Sequence, residues 1–178
     1  LEVDKVAPLI THVNLMIYDY TAGETGANAG KHQANLYGSS NSLPGYSVDQ
    51  SIQNLTQAGM PSEKILLGVP FYGRYGATIT KSYDDLRKDY INKNGYEIAF
   101  DKQAQVPYLV KDGKFAMSYD DALSIFLKGQ YVLRNCLGGI FSWTSTYDQA
   151  NILAKSMNQS IYDPDALKSE LEQVFGQF

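Results

Sequence analysis

The stretch HVNLMIYDYTAG, His12 to Gly23, decides the fold. Val13, Leu15, Met16 and Ile17 form an almost continuous β-prone run, the composition of a strand buried on both faces in a parallel sheet. A charge has no place in the middle of such a strand, so Tyr18 and Asp19 are read as its end. Two further segments have the same character, KILLGVPF (64–71) and GGIFSW (138–143), and each runs into a loop with Gly, Asn or Thr. Between the first two lies YSVDQSIQNLTQAGMPSEK (46–64). There Ser47 and Gln50 form a capping box, Val48, Ile52 and Leu55 line one helical face, and Gly59 followed by Pro61 ends the helix. A strand, a helix and a second strand in this order imply parallel pairing.

The second and third strands are too far apart for a simple crossover, so an insertion is expected between them. Ser82 can cap a helix with Tyr83, Leu86, Tyr90 and Ile91 on one face, ended by Asn94-Gly95. VPYLVKDGKFAMSY (106–119) then alternates on both sides of Asp112-Gly113, a strong two-residue hairpin signal. A helix from about Asp120 to Asn135 follows, with Ala122, Ile125, Phe126, Val132 and Leu133 on its buried stripe. The tail adds two helices, the last with Asp163 as cap and Pro164 in its first turn. The loop from Gly23 to Gly45, rich in Gly, Asn and Ser, is expected to be exposed.

With 178 residues, 44% of them hydrophobic, and a net charge of -4, the chain can bury one sizeable core and carries no basic footprint for nucleic acid. No apolar run approaches the roughly 18 residues of a membrane helix, and the N-terminus lacks the pattern of a signal peptide. Leu1 rather than Met opens the chain, so it is expected to start inside a longer gene product or to have been processed or cut. The single cysteine, Cys136, sits in the apolar context YVLRNCLGGIF and is expected to be a buried unpaired thiol. His12 and His32 have no Cys or Glu cluster near them, so neither a metal nor a cofactor is expected. The 14 Tyr residues suit either a packed core or a surface that stacks on sugar rings, and composition does not choose.

The three strands and the insertion together resemble the chitinase-like family-18 glycoside hydrolases, which are (β/α)8 barrels. NLMIYDYTAG resembles that family's Met-x-Tyr-Asp motif on the sixth strand, KILLGVPFYGR its seventh strand and LGGIFSWTSTYD its eighth. VPYLVKDGKFAMSYDDALSIFLKGQYV is similar to the α+β insertion domain between the last two. The implied fold class is α/β: a partial TIM (β/α)8 barrel, strands six to eight, with a small inserted α+β domain. Its portions are residues 1–75 (barrel), 76–117 (insertion) and 118–178 (barrel and closing helices). The resemblance implies hydrolysis of β-1,4 links between N-acetylglucosamine units by substrate assistance, in which the sugar's own acetamido oxygen attacks the anomeric carbon. It also implies residue roles. Tyr18 and Asp19 would be catalytic, the Tyr18 hydroxyl aiming the acetamide and Asp19 holding the sugar and its developing charge. Met16, Tyr72, Arg74 and Trp143 would bind substrate, with Met16 in the pocket floor and Trp143 stacked beneath the sugar. Taken singly, Trp143 and Met16 are also ordinary core residues, Asp19 an ordinary loop cap and Arg74 an ordinary surface charge. Three strand ends meeting at one mouth favour the functional reading. Tyr108, Asp120 and Asp121 are read as structural.

The family's proton donor is a glutamate closing an Asp-x-x-Asp-x-Asp-x-Glu run on the fourth strand. None of Glu2, Glu24, Glu63, Glu97, Glu170 and Glu172 completes that run; the residues two places before the last five are Ala22, Pro61, Gly95, Lys168 and Glu170. The chain is therefore expected to be the C-terminal part of a chitinase and inactive alone. The alternative is a chitin-binding, lectin-like or structural member of the family without hydrolase activity. Expected partners are chitin or N-acetylglucosamine oligomers, and either the missing N-terminal barrel segment or another copy to cover the open sheet edges. No nucleic acid and no membrane is expected as a partner. Secretion is implied by the family alone, and Asn54 (NLT) and Asn158 (NQS) fit glycosylation sequons.

Overall fold

The computed structural model describes residues 2–178. A short helix α1 (Val3–Val6) leads into β1 (Val13–Leu15). The strand is shorter than its apolar run because only these residues find a partner: Val13, Asn14 and Leu15 pair in parallel with Ile65, Leu66 and Leu67. The long loop after it is exposed at 25–28 and at 44–45, as expected, but its middle is not. His32, Gln33, Ala34, Asn35 and Leu36 are all buried. Polar groups of the loop itself and of the insertion take the place of water here. Leu36 N and Tyr37 N both donate to Ala104 O, and Asn35 Nδ2 donates to Tyr37 O and Tyr46 O. Helix α2 (Val48–Gln57) begins as its sequence dictates, with Ser47 Oγ accepting from Gln50 N at 3.1 Å. The capping box is one-sided, since the Gln50 side chain turns along the helix to Asn54. Strand β2 (Ile65–Pro70) follows.

The antiparallel sheet of the insertion starts at β3 (Tyr72–Tyr75), ahead of residue 76, because Tyr72 to Tyr75 ladder directly onto β4 (Ile79–Ser82). Ser82 caps α3 (Tyr83–Asp85), which widens into a π-helical turn over Leu86–Tyr90, closed by Ile91 N donating to Leu86 O at 2.8 Å. Tyr83 and Leu86 are buried beneath it. Then come β5 (Tyr96–Asp101), β6 (Val106–Lys111) and β7 (Lys114–Ser118), giving a five-stranded sheet in the order β4-β3-β7-β6-β5. The β6–β7 turn has Asp112 at φ 50° and Gly113 at φ 71°, the pair of positive angles that an Asp-Gly hairpin turn requires.

Helix α4 (Ala122–Arg134) opens with a reciprocal box between Asp121 and Ser124. Ile125, Phe126 and Val132 are buried as its periodicity predicts, but Leu133 faces solvent and Tyr131 and Lys128 are buried instead. Cys136 is exposed rather than buried, because it occupies the left-handed turn, φ 51°, that ends the helix. Strand β8 (Gly139–Trp143) then pairs in parallel with β2, Leu66 opposite Gly139 and Pro70 opposite Trp143. Gly68 sits at the centre of this sheet, where a Cβ would come within 2.8 Å of the Leu15 carbonyl oxygen. Helices α5 (Ile152–Tyr162) and α6 (Pro164–Phe175) close the chain; Pro164 stands in the first turn of α6, while Asp163 makes no side-chain cap. The parallel sheet has the order β1-β2-β8, so the C-terminal ends of all three strands share one rim.

Candidate active site

That rim carries the sequence-derived candidates. Tyr72 and Arg74 stand two residues apart on β3 and so point to one face of it. Both reach the same atom: the Tyr72 hydroxyl and Arg74 Nε each donate to Asp19 Oδ1 at 2.7 Å. Arg74 is anchored from the other side by donating to Gly76 O, and its guanidinium lies 5.9 Å from the centre of the Tyr72 ring. Asp19 reaches this position by adopting φ 65°, a left-handed conformation that non-glycine residues keep only where the surroundings enforce it. Its strand has ended at Leu15, so the backbone is free to turn.

Tyr18 packs edge-on against Tyr72, ring centres 6.3 Å apart, and its hydroxyl is buried without a protein partner. Burial, with the Asp19 carboxylate adding to it, pushes the Tyr18 phenol pKa up. Burial and the bond to Asp19 do the same for Tyr72. Both phenols are therefore held protonated, as hydrogen-bond donors. One of them is spent on Asp19 and the other points a free hydroxyl at its surroundings. Trp143 ends β8 at the same rim, its carbonyl accepting from Phe71 N at 2.7 Å, with the side chain 57% exposed. Met16 lies one residue past β1 and is 67% exposed, outside the group that converges on Asp19.

Sequence reasoning missed two residues here. Tyr147 also packs edge-on against Tyr72, ring centres 6.4 Å apart. Gln33 donates to the Tyr72 carbonyl from within the loop expected to be exposed. Nothing in local composition marks either one, since both act through residues distant in the chain. Among the described residues, no group of three or more His, Cys, Asp and Glu could hold a metal ion.

A parallel sheet with an acid, phenols and an indole at its strand ends, walled by an α+β insertion, defines part of a (β/α)8 barrel with a polar and aromatic mouth. The model of glycosyl hydrolases family 18 matches residues 1–148, and the chain belongs to that family. The chain is similar to the chitinase domain of the spore coat protein CotE from Clostridium difficile, with 74% identity, covering 99% of this chain and 51% of that one at a TM-score of 0.52. It is 31% identical to Chitinase A1 of Niallia circulans over 90% of this chain. It spans only 27% of that relative's length. The family-18 chitinase of Cycas revoluta, solved in complex with (GlcNAc)4, aligns at 26% identity over 90% of this chain and 50% of that one, TM-score 0.75.

Proposed function

We propose that the chain supplies the strand-six-to-eight half of a chitinase site that hydrolyses β-1,4 N-acetylglucosamine linkages by the substrate-assisted retaining route. The observation that carries this reading is the free, buried Tyr18 hydroxyl beside an Asp19 fixed by Tyr72 and Arg74. Such a donor suits the acetamido oxygen. Aiming that oxygen at the anomeric carbon is the orientation step the mechanism needs, and Asp19 would stabilise the positive charge that develops on the resulting ring. Arg74 and Tyr72 keep Asp19 pointed. Trp143 offers an exposed indole face to the apolar side of a pyranose, and Met16, past the end of β1, an exposed thioether. The ligand class agrees with the chito-oligomer bound by the Cycas relative.

No Asp-x-x-Asp-x-Asp-x-Glu run occurs in these residues, so the chain by itself is inactive and the leaving-group proton comes from a segment outside it. The same absence favours a second reading, a chitin-binding family member without hydrolysis. Secretion belongs to the proposal as well, on the strength of the family.

Trp143 is the only tryptophan, so its fluorescence reports ligand at the mouth. N-acetylchitooligosaccharides are expected to change that emission saturably, and Tyr18→Phe to weaken their binding. Turnover should appear only when the fourth-strand segment is present. Binding without turnover in the full-length protein selects the second reading; no binding, or turnover by the chain alone, overturns the first.

A further inference from the structure

We propose that Gln33 is a positioning residue that sets the distance between the strand end carrying Asp19 and the strand carrying Tyr72 and Arg74. The inference rests on reading those three as the groups that grip the sugar. Gln33 is fully buried and bonds to three separate segments. Its carbonyl accepts from Tyr20 N at 3.2 Å, one residue beyond Asp19. Its side-chain Nε2 donates to Tyr72 O at 2.9 Å. Its backbone N donates to Ser118 Oγ at 3.0 Å, and Ser118 is the residue that pairs with Arg74 across β3 and β7. Tyr72 is thus tied to Gln33 directly, Asp19 through the adjoining Tyr20, and Arg74 through its strand partner Ser118.

The side chain has a specific task. Phe71 O accepts from Tyr83 N and so points toward β4; the next carbonyl, Tyr72 O, points to the opposite edge of the strand. On that edge the ladder with β7 holds only the Arg74–Ser118 pair, so Tyr72 O has no strand partner. The Gln33 amide fills the missing rung. Both bonds to Asp19 are at 2.7 Å, and a shift of the β3 end by under an ångström relative to the left-handed Asp19 turn would break one of them.

The test uses the full-length protein. Gln33→Met keeps length and volume but has no donor, and Gln33→Asn, a shorter amide, serves if that variant does not fold. Ser156→Ala is the control, since it removes a partly buried hydrogen bond to Ala122 O between α5 and α4 that involves none of the groups at Asp19. In a crystal structure of Q33M, the Tyr72 or the Arg74 contact with Asp19 is expected to open beyond hydrogen-bond reach. On N-acetylchitooligosaccharide, kcat should fall about tenfold or more with little change in KM, while the control loses thermal stability and keeps its kcat. Unchanged Asp19 contacts, or a kcat loss no larger than the control's, would overturn the inference. Should the wild-type protein not turn over the sugar, the hydrolase reading falls, and the crystallographic distances still decide the role of Gln33.

Discussion

Lys128 Nζ lies 2.7 Å from both carboxylate oxygens of Asp120, and neither side chain reaches solvent. Burial pushes the lysine pKa down and the Asp120 charge holds it up. A lone buried charge costs far more than the pair, so Lys128→Met should destabilise the protein by about 3–5 kcal/mol, partly recovered by adding Asp120→Asn. Urea unfolding of the single and double variants measures this; a loss under about 1 kcal/mol, the worth of a surface pair, would show that the charge is not buried. Asp121, the neighbouring helix cap, is also fully enclosed, and desolvation raises its pKa to about 6. Its folded value thus lies above the unfolded one of about 3.9, so the folded state binds the proton more tightly. Stability from this group is complete below about pH 4 and is lost as pH rises through about 6, a change of up to about 3 kcal/mol. Asp121→Asn should flatten the melting temperature across that window, since Asn still accepts from Ser124 N. The cap was legible in sequence, because Asp before an apolar helical run is a local signal. The buried lysine was not: a cation in a helix reads as solvated until its partner is known to lie beneath it.

The contact between α4 and α5 sets two element-level effects against each other. Helix propensity alone makes Gly129→Ala favourable by about 1 kcal/mol. A Cβ at Gly129, however, would overlap the Ser160 side chain, itself buried and bonded to Met157 O. Overpacking of this kind costs about 1–3 kcal/mol and outweighs propensity. Gly129→Ala should therefore lower the midpoint of thermal unfolding, and Ser160→Gly in the same protein should remove the clash. A rise with the single variant would mean that α5 slides away freely. Elements defined by local chemistry were readable beforehand: Ser47 and Ser82 cap their helices, and Asp112-Gly113 turns its hairpin. The buried middle of the segment from Gly23 to Gly45 was misread for a physical reason. Gly, Asn and Ser report only that the backbone is irregular, whereas burial of His32 depends on Asp101 at the end of β5, which accepts at 3.1 Å. Leu133 and Cys136 erred likewise, since an apolar neighbourhood in sequence does not say on which side a helix end turns.

For the molecule as a whole, the candidate site was legible where strand ends announce it. Asp19 interrupts an apolar run, and Tyr72 and Trp143 close two others on the same rim. The contacts around them were hidden, because Gln33 meets Ser118, and Tyr147 meets Tyr72, across sequence separations that no local pattern encodes. The same topology leaves the parallel sheet open. Its order β1-β2-β8 gives β1 and β8 one unpaired edge each, and unsatisfied strand edges recruit partners unless covered. Beside β8 runs a groove lined by Leu66, Leu133, Leu137, Ile140, Met157 and Tyr162, and Leu9, Met16 and Trp143 stand exposed elsewhere. Closing a barrel would bury these edges together, since only closure removes both. The isolated 178-residue chain should therefore sediment above its monomer mass of 19.8 kDa, or unfold broadly at low temperature. Adding a polypeptide that spans the upstream strands should shift it to a single species of one-to-one mass and sharpen its melting. A compact monomer with one cooperative transition would show that two open edges and this groove are tolerated in water, and the three-stranded sheet would then be a sufficient folding unit by itself.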